Sequence, residues 1–383
     1  MIPYGKQDID QSDIDAVLGV LTSDYLTQGP KVPEFESKIA EYVGANHAVA
    51  MNSATSALHV ACLALGVGPG DLVWTSPNTF VASANCALFC GADVDFVDVE
   101  RATGNIDVDA LEAKLETALR NDALPKLLIP VHFAGQPCDM ERIAVLGRKY
   151  GFRIIEDASH ALGARVSGRP VGSCEFSDIT VFSFHPVKIL TTCEGGALLT
   201  NQDEVAEKAR LLRVHGITRD QDGFQSLPKV PWSYEQQLLG FNYRMNDVEA
   251  ALGLSQFARL SGFLERRQYL AARYRELLRD VNGVEPLSGS LEQSSWHLFV
   301  VHVSARDHVY ELMQRSGIGV GLHYIPVYRQ PYHMRNDLTV DQFPGMESYF
   351  QSALTLPLYP GLSEQQQNDV VYALEKIIMK ADL

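Results

Sequence analysis

From residue 47 to residue 200, short apolar runs rich in β-branched side chains alternate with longer stretches of helical period, and this alternation restricts the fold more than any other feature of the chain. The runs at 47–51, 72–75, 94–99, 125–133, 152–157 and 179–184 read as strands, with 57–65, 81–90, 108–119 and 140–150 as the helices between them. Strand and helix in turn build a mostly parallel sheet with helices on both faces, an α/β architecture. Ahead of it, 11–21 reads as an amphipathic helix through Ile14, Val17, Leu18 and Leu21, with Ser12 and Asp13 as caps. Beyond it, a helix over 248–260 opens at Asn246 or Asp247, and 266–278 continues helical. A strand over 296–303, a helix over 306–314 and a closing helix over 364–379 capped by Ser363 then make a smaller α+β unit. The expected division is a large domain over 1–245 and a C-terminal domain over 246–383.

One lysine stands in the turn between the last two strands of the alternation. Ser183-Phe184-His185-Pro186-Val187-Lys188 leaves one strand, Glu194-Gly195-Gly196 begins the next, and no other lysine lies between Lys149 and Lys208. Such an amine is either a solvated loop charge or a nucleophile kept in a pocket for a carbonyl. Upstream, Phe152-Arg153-Ile154-Ile155-Glu156-Asp157-Ala158-Ser159-His160 is an apolar strand ending in acid and then histidine. Asp157 falls at a strand's carboxyl end, where α/β sheets place their ligands. It is either a helix cap or the carboxylate that pyridoxal phosphate (PLP) needs against its ring nitrogen.

Asn52-Ser53-Ala54-Thr55-Ser56 joins a strand to a helix through small residues. Free N–H groups at such a turn suit a phosphate, and the simpler alternative is a Ser/Thr cap; with the other motifs, Ala54, Thr55 and Ser56 are assigned to the phosphate. Gly66-Val67-Gly68-Pro69-Gly70-Asp71 follows a helix instead of opening one and contains proline, so it is a turn and not a dinucleotide fingerprint.

The formal net charge of −15 opposes non-specific binding to nucleic acid or an anionic membrane. No apolar run approaches the roughly 18 residues that span a bilayer, and no signal peptide is visible, so a cytoplasmic protein is expected. The six cysteines form no C-x-x-C pair and read as reduced thiols, Cys86 and Cys90 sharing one helical face. No metal site is expected. Residues 217–239 form a long polar loop of the kind that is functional or disordered.

Taken together, Asp157-Ala158-Ser159-His160, the Ser183 to Lys188 segment, Glu194-Gly195-Gly196 and Asn52-Ser53-Ala54-Thr55-Ser56-Ala57-Leu58 resemble the PLP-dependent nucleotide-sugar aminotransferases of fold type I, from Ile2 to about Leu362. Within that group, Pro3-Tyr4-Gly5-Lys6-Gln7, Leu26-Thr27-Gln28-Gly29-Pro30, Val131-His132-Phe133-Ala134-Gly135-Gln136-Pro137 and Phe184-His185-Pro186-Val187-Lys188 are most similar to the UDP-sugar 4-aminotransferases of pseudaminic acid biosynthesis.

The resemblance implies that Lys188 holds PLP as a Schiff base and shuttles protons, that Asp157 keeps the ring nitrogen protonated, and that His160 lies near the phenolic side. It implies that Phe80 stacks on the ring, that Ser183 binds phosphate, and that Asn242 reaches the cofactor of the other subunit in a homodimer with shared sites. Tyr4, Tyr25, Leu26, Thr27, Gln28, His323 and Tyr324 would hold the nucleotide sugar. L-Glutamate is the implied donor, and a UDP-linked 2-acetamido-2,6-dideoxy-4-keto-hexose the implied acceptor. Other dTDP- or GDP-linked keto sugars remain open, as does a catalytically silent paralogue, while the related sugar dehydratases carry histidine where Lys188 stands. Cys193 departs from the glycine or alanine common before Glu-Gly-Gly, and an exposed thiol there would be open to oxidation.

Overall fold

A computed structural model describes residues 1–335 and 338–381. Its large sheet has seven strands: β1 (His47–Met51), β2 (Leu72–Thr75), β3 (Asp93–Phe96), β4 (Leu127–Ile129), β5 (Arg153–Asp157), β6 (Ile179–Ser183) and β7 (Gly196–Thr200). They lie in the order β1-β7-β6-β5-β4-β2-β3. Pairs β6-β5, β5-β4, β4-β2 and β2-β3 are parallel, while β7 is antiparallel to both its neighbours. Six strands therefore share one direction, and β7 alone runs against them.

The side-chain period of two explains why helices cover both faces. Val49, Met51, Leu127 and Ile129 pack under helices Ala54–Ala64, Ala82–Phe89 and Asp203–Leu212. Their neighbours go the other way: Ala48 and Ala50 meet Lys31–Val43, and Leu128 meets Val108–Arg120 and Met140–Tyr150. Both sets are buried, which is what a near-continuous apolar strand demands. Truncating Ile129 or Leu198 to alanine would cost about 2–5 kcal/mol, since each has no exposed surface.

The C-terminal sheet is antiparallel, with β8 (Val284–Pro286), β9 (Phe299–Val303) and β10 (Ala353–Leu356). Helices Leu260–Leu277, Arg306–Arg315 and Glu364–Ala381 enclose its core of Phe299, Val301, Leu354 and Leu374. No helix among the described residues is long and apolar enough to cross a membrane.

Several boundaries differ from the sequence reading for local reasons. The expected strand over 125–133 stops at Ile129, because Pro130 has no N–H and Phe133–Gly135 turns with Ala134 at φ 57°. The expected strand over 296–303 begins only at Phe299, since Trp296 takes a φ of 52° and the Leu298 N–H goes to Ala134 O at 3.2 Å. Asp10, not Ser12, caps helix Gln11–Leu21, in a reciprocal capping box with Asp13. Asn246 caps Asp247–Ala258 in the same way with Glu249. The chain's first residues join the C-terminal sheet region: Ile2 bridges Ile318, and the Leu358 N–H donates to Tyr4 O at 3.0 Å.

Candidate active site

Because six strands end where β7 begins, their connecting loops gather at one sheet edge. There they enclose a cavity of about 460 Å³, which Lys188 and Asp157 both line. The Lys188 loop is closed at its base by Phe184 N–H to Gly195 O at 2.9 Å, Thr192 N–H to Phe184 O at 3.0 Å and the Thr191 hydroxyl to Phe184 O at 3.1 Å. Phe184, Ile189 and Leu190 anchor it in the core, leaving Lys188 half-buried between them. Its Nζ makes no hydrogen bond or ion pair with any described residue. Burial pushes this amine down to about 8, with the Asp157 charge opposing part of the effect.

Asp157 ends β5 and is 5% exposed. Oδ1 accepts from the Ser159 N–H at 3.0 Å, and Oδ2 accepts from the Ser83 hydroxyl at 2.6 Å. His160 also lines the cavity. Its Nδ1 accepts the Ala134 N–H at 3.2 Å and its Nε2 lies 3.2 Å from the Tyr324 hydroxyl. A nitrogen that accepts an N–H carries no proton, so the neutral ring bears its hydrogen on Nε2 and donates it to Tyr324. Burial, Lys188 and His323 all hold His160 well below the usual imidazole range, in agreement with that tautomer.

At the other end of the cavity lies the first turn of Ala54–Ala64. Ser53 caps it, accepting the Ser56 N–H at 3.1 Å, while among the described residues the Ala54 and Thr55 N–H groups have no partner. Ser53, Ala54, Thr55 and Ser183 line the cavity. Ser56 does not: it is 8% exposed and its hydroxyl donates to Asn52 Oδ1 at 2.7 Å. Free donors at a helix N-terminus form an anion site. Phe80 lines the cavity with 61% of its surface exposed, so an aromatic face is bare beside it.

The opposite wall brings together distant parts of the chain, with Tyr4, His297, His323 and Tyr324 all facing the cavity. The His323–Tyr324 peptide is held on both sides: the Tyr324 N–H donates to Asn78 Oδ1 at 3.1 Å, and the Tyr349 hydroxyl to His323 O at 2.7 Å. His323 is driven down to about 4 by burial and by Lys188. His297 is 4% exposed, its ring 4.4 Å from that of His160, and its Nδ1 has no partner among the described residues. Sequence reasoning passed over Ser83, Asn78, Tyr349 and His297.

Tyr25, Leu26, Thr27, Gln28 and Asn242 lie outside this cavity in the single chain. Tyr25 and Leu26 are 57% and 51% exposed, and their loop is tied to the Asp247–Ala258 helix through Asp247, whose carboxylate accepts the Gly29 and Lys31 N–H groups. Asn242 is exposed, on a backbone bridge to Val214. Cys193 sits at φ 69°, the left-handed region that favours glycine. Its thiol is exposed, but burial and the charges of Glu249 and Glu194 push it up, so it is not an activated thiolate.

Residues 7–375 match the model of the DegT/DnrJ/EryC1/StrS aminotransferase family. The chain belongs to that family. This aminotransferase is 37% identical over 390 residues to the spore coat polysaccharide biosynthesis protein SpsC of Bacillus subtilis, covering 100% of this chain and 98% of that one. It is also 37% identical over 386 residues to a UDP-4-amino-4,6-dideoxy-N-acetyl-beta-L-altrosamine transaminase of Campylobacter jejuni, covering 99% and 98%. Among solved structures it resembles Helicobacter pylori PseC, an aminotransferase of pseudoaminic acid biosynthesis, with a TM-score of 0.90, 30% identity and 99% of each chain covered. It likewise resembles the PLP form of the putative sugar aminotransferase Spr1654 of Streptococcus pneumoniae, with a TM-score of 0.89, 29% identity and 99% of each chain covered. The protein is a PLP-dependent nucleotide-sugar aminotransferase with the α/β fold of type I.

The aminotransferase cavity fits PLP on its own chemistry. It offers an amine without a partner, a buried carboxylate, a bare aromatic face, and two free N–H groups at a helix end. Gly196 is part of that cradle, because a β-carbon on it would stand 2.4 Å from the Ala54 nitrogen.

Proposed function

We propose that this aminotransferase moves an amino group from L-glutamate to the C4 keto group of a UDP-linked 2-acetamido-2,6-dideoxy-hexose, in the making of pseudaminic acid or a related surface sugar. The observation that carries the proposal is end-to-end identity of 37% to a transaminase acting on such a sugar, together with a Lys188 amine free in the cavity.

Lys188 would hold the cofactor covalently, and Asp157, fixed by two hydrogen-bond donors, would face its ring nitrogen. Ala54, Thr55, Ser56 and Ser183 form the phosphate end, Ser56 acting through the turn it braces. Phe80 would cover the ring, and His160 orients the Tyr324 hydroxyl, whose own hydrogen is then free for an acceptor in the cavity. PLP, when bound, supplies an electron sink that lets a C–H bond beside nitrogen ionise. Lys188 Nζ takes that proton and returns it; an amine near 8 is neutral often enough at physiological pH to act as base. Neutral His297, His323 and His160 place no competing charge beside it.

A homodimer completes the site in this reading. The apolar residues Ile14, Leu18 and Leu21, with Tyr25 and Leu26, are all about half exposed in one chain and would be covered by a second copy. Asn242 would then serve the phosphate in the partner's cavity, and Tyr25 to Gln28 would close over the nucleotide sugar. The reading also keeps the two-domain division at 245/246 and a cytoplasmic location.

The test is to incubate the PLP-loaded protein with L-glutamate and a panel of 3-keto and 4-keto sugar nucleotides and to identify products by NMR. A 4-amino UDP-sugar as the preferred product supports the proposal. Preference for a dTDP- or GDP-linked acceptor overturns the assigned sugar and leaves the family chemistry intact.

A further inference from the structure

Ser83 is the second residue of helix Ala82–Phe89, and it has no exposed surface. Its hydroxyl lies 2.6 Å from Asp157 Oδ2 and 2.7 Å from the Thr79 hydroxyl. An ionised carboxylate only accepts hydrogen bonds, so the single Ser83 proton is committed to Asp157. The Phe80 carbonyl, at 3.5 Å, is too distant to compete for it. Thr79 must then be the donor to Ser83. The result is a directed chain, from Thr79 Oγ1–H to Ser83 Oγ and from Ser83 Oγ–H to Asp157 Oδ2, which ends on the carboxylate and takes nothing from it.

Thr79, Ser83 and Asp157 are 3%, 0% and 5% exposed, so the chain is largely shielded from bulk water, while Thr79 and Asp157 both reach the cavity. The same turn carries Asn78, which holds the Tyr324 N–H, and Phe80, which lines the cavity. A hydrogen bond donated to a charged group inside such a wall is stronger than one in water, and it fixes which lone pairs of Asp157 remain for a ligand.

We propose that Ser83, steadied by Thr79, is a positioning residue that holds the Asp157 carboxylate turned toward the ring nitrogen of the cofactor. The proposal rests on the reading of Asp157 given above. A carboxylate that has lost this donor keeps only the Ser159 N–H to fix its plane, so its bond to the ring nitrogen would lose alignment. Withdrawal of charge through the ring weakens, and the rest of the cofactor becomes easier to protonate.

The experiment compares Ser83→Ala, Thr79→Val, Thr79→Ser and Asp157→Asn with the native protein. PLP affinity of the apoprotein is read by fluorescence, the pH midpoint of the bound cofactor's visible absorbance by titration, and folding by thermal melting. Ser83→Ala is expected to weaken PLP binding about tenfold and raise the midpoint by about one pH unit, the scale of one hydrogen bond to a charged group. Thr79→Val should shift both in the same direction by less, and Thr79→Ser, which keeps the hydroxyl, should match the native protein. If Ser83→Ala does not fold, the two Thr79 variants decide the matter alone. Native affinity and midpoint in a folded Ser83→Ala, or in Thr79→Val, would overturn the proposal. The control separates the two levels: an unshifted Asp157→Asn removes the reading of Asp157, whereas a shifted Asp157→Asn beside an unshifted Ser83→Ala removes only the role of Ser83.

Discussion

Gly196 and Ala54 meet backbone to backbone: the strand returning from the Lys188 loop presses on the first turn of the helix whose N–H groups face the cavity, and a β-carbon on Gly196 would lie 2.4 Å from the Ala54 nitrogen. That contact couples the two ends of the site, the amine and the anion cradle.

Gly196→Ala is therefore expected to harm the cradle before it harms the fold. Overpacking at a rigid backbone contact costs about 1–3 kcal/mol. Because the displaced atoms are the Ala54 donors, PLP affinity should fall by at least about tenfold, 1.4 kcal/mol of binding. Equilibrium binding of PLP to the apoprotein, with a thermal melt alongside, checks this.

Capture of PLP by the apoprotein should depend on pH with a known sign. Burial lowers the Lys188 amine to about 8 in the fold, and only the neutral amine is a nucleophile. The rate should rise about tenfold per pH unit below 8 and level off above it, as a single-group titration requires. Between about 8 and the ordinary lysine value the unfolded chain binds more protons than the folded one, so apoprotein stability should climb across that window. Stopped-flow absorbance and melts across roughly pH 6 to 10.5, which covers the rate rise below 8 and the stability window above it, measure both.

The proposed sharing of active sites between subunits makes a complementation prediction. Lys188→Ala and Asn242→Ala homodimers should each be impaired. A mixed dimer carrying one change on each chain contains one site with both native residues and should regain activity. Purified heterodimers without recovered activity would take Asn242 out of the partner's site.

A split between half-reactions is expected from the wall opposite the cradle. Tyr4 and His323 reach the cavity from the two ends of the chain, 5.5 Å apart ring to ring. Tyr4→Ala should raise KM for the sugar nucleotide with little change in kcat, and leave conversion of PLP by glutamate intact. Single-turnover absorbance in each direction separates the two; equal loss in both would move Tyr4 out of sugar recognition.

The legible parts of the site were those whose chemistry is tied to residue type within a short stretch. An isolated lysine between two strands and an acid at a strand's carboxyl end announce themselves, and both Lys188 and Asp157 line one cavity. Ser83 did not, because a serine in an apolar helix reads as filler, and the partner that gives it meaning is 74 positions away. The same holds for Asn78, whose bond to the Tyr324 N–H spans 246 positions, while Tyr349 reaches the His323 carbonyl from a helix 26 positions on. The alternation of strand and helix foretold the sheet, but not that β7 runs against its neighbours, since period-two burial is the same in either direction. The apolar stripe of Gln11–Leu21 was visible as a helix, yet Ile14, Leu18 and Leu21 are about half exposed among the described residues, which the helical period alone does not foretell.

The central claim is that Lys188 is the amine that carries the cofactor. The direct measurement is borohydride reduction of the PLP-loaded protein, followed by proteolysis and mass mapping of the labelled peptide. The account predicts one labelled site, at Lys188, and no label in Lys188→Ala protein that still melts like the native one. A reduced cofactor found on any other lysine, with Lys188 unmodified, would contradict it.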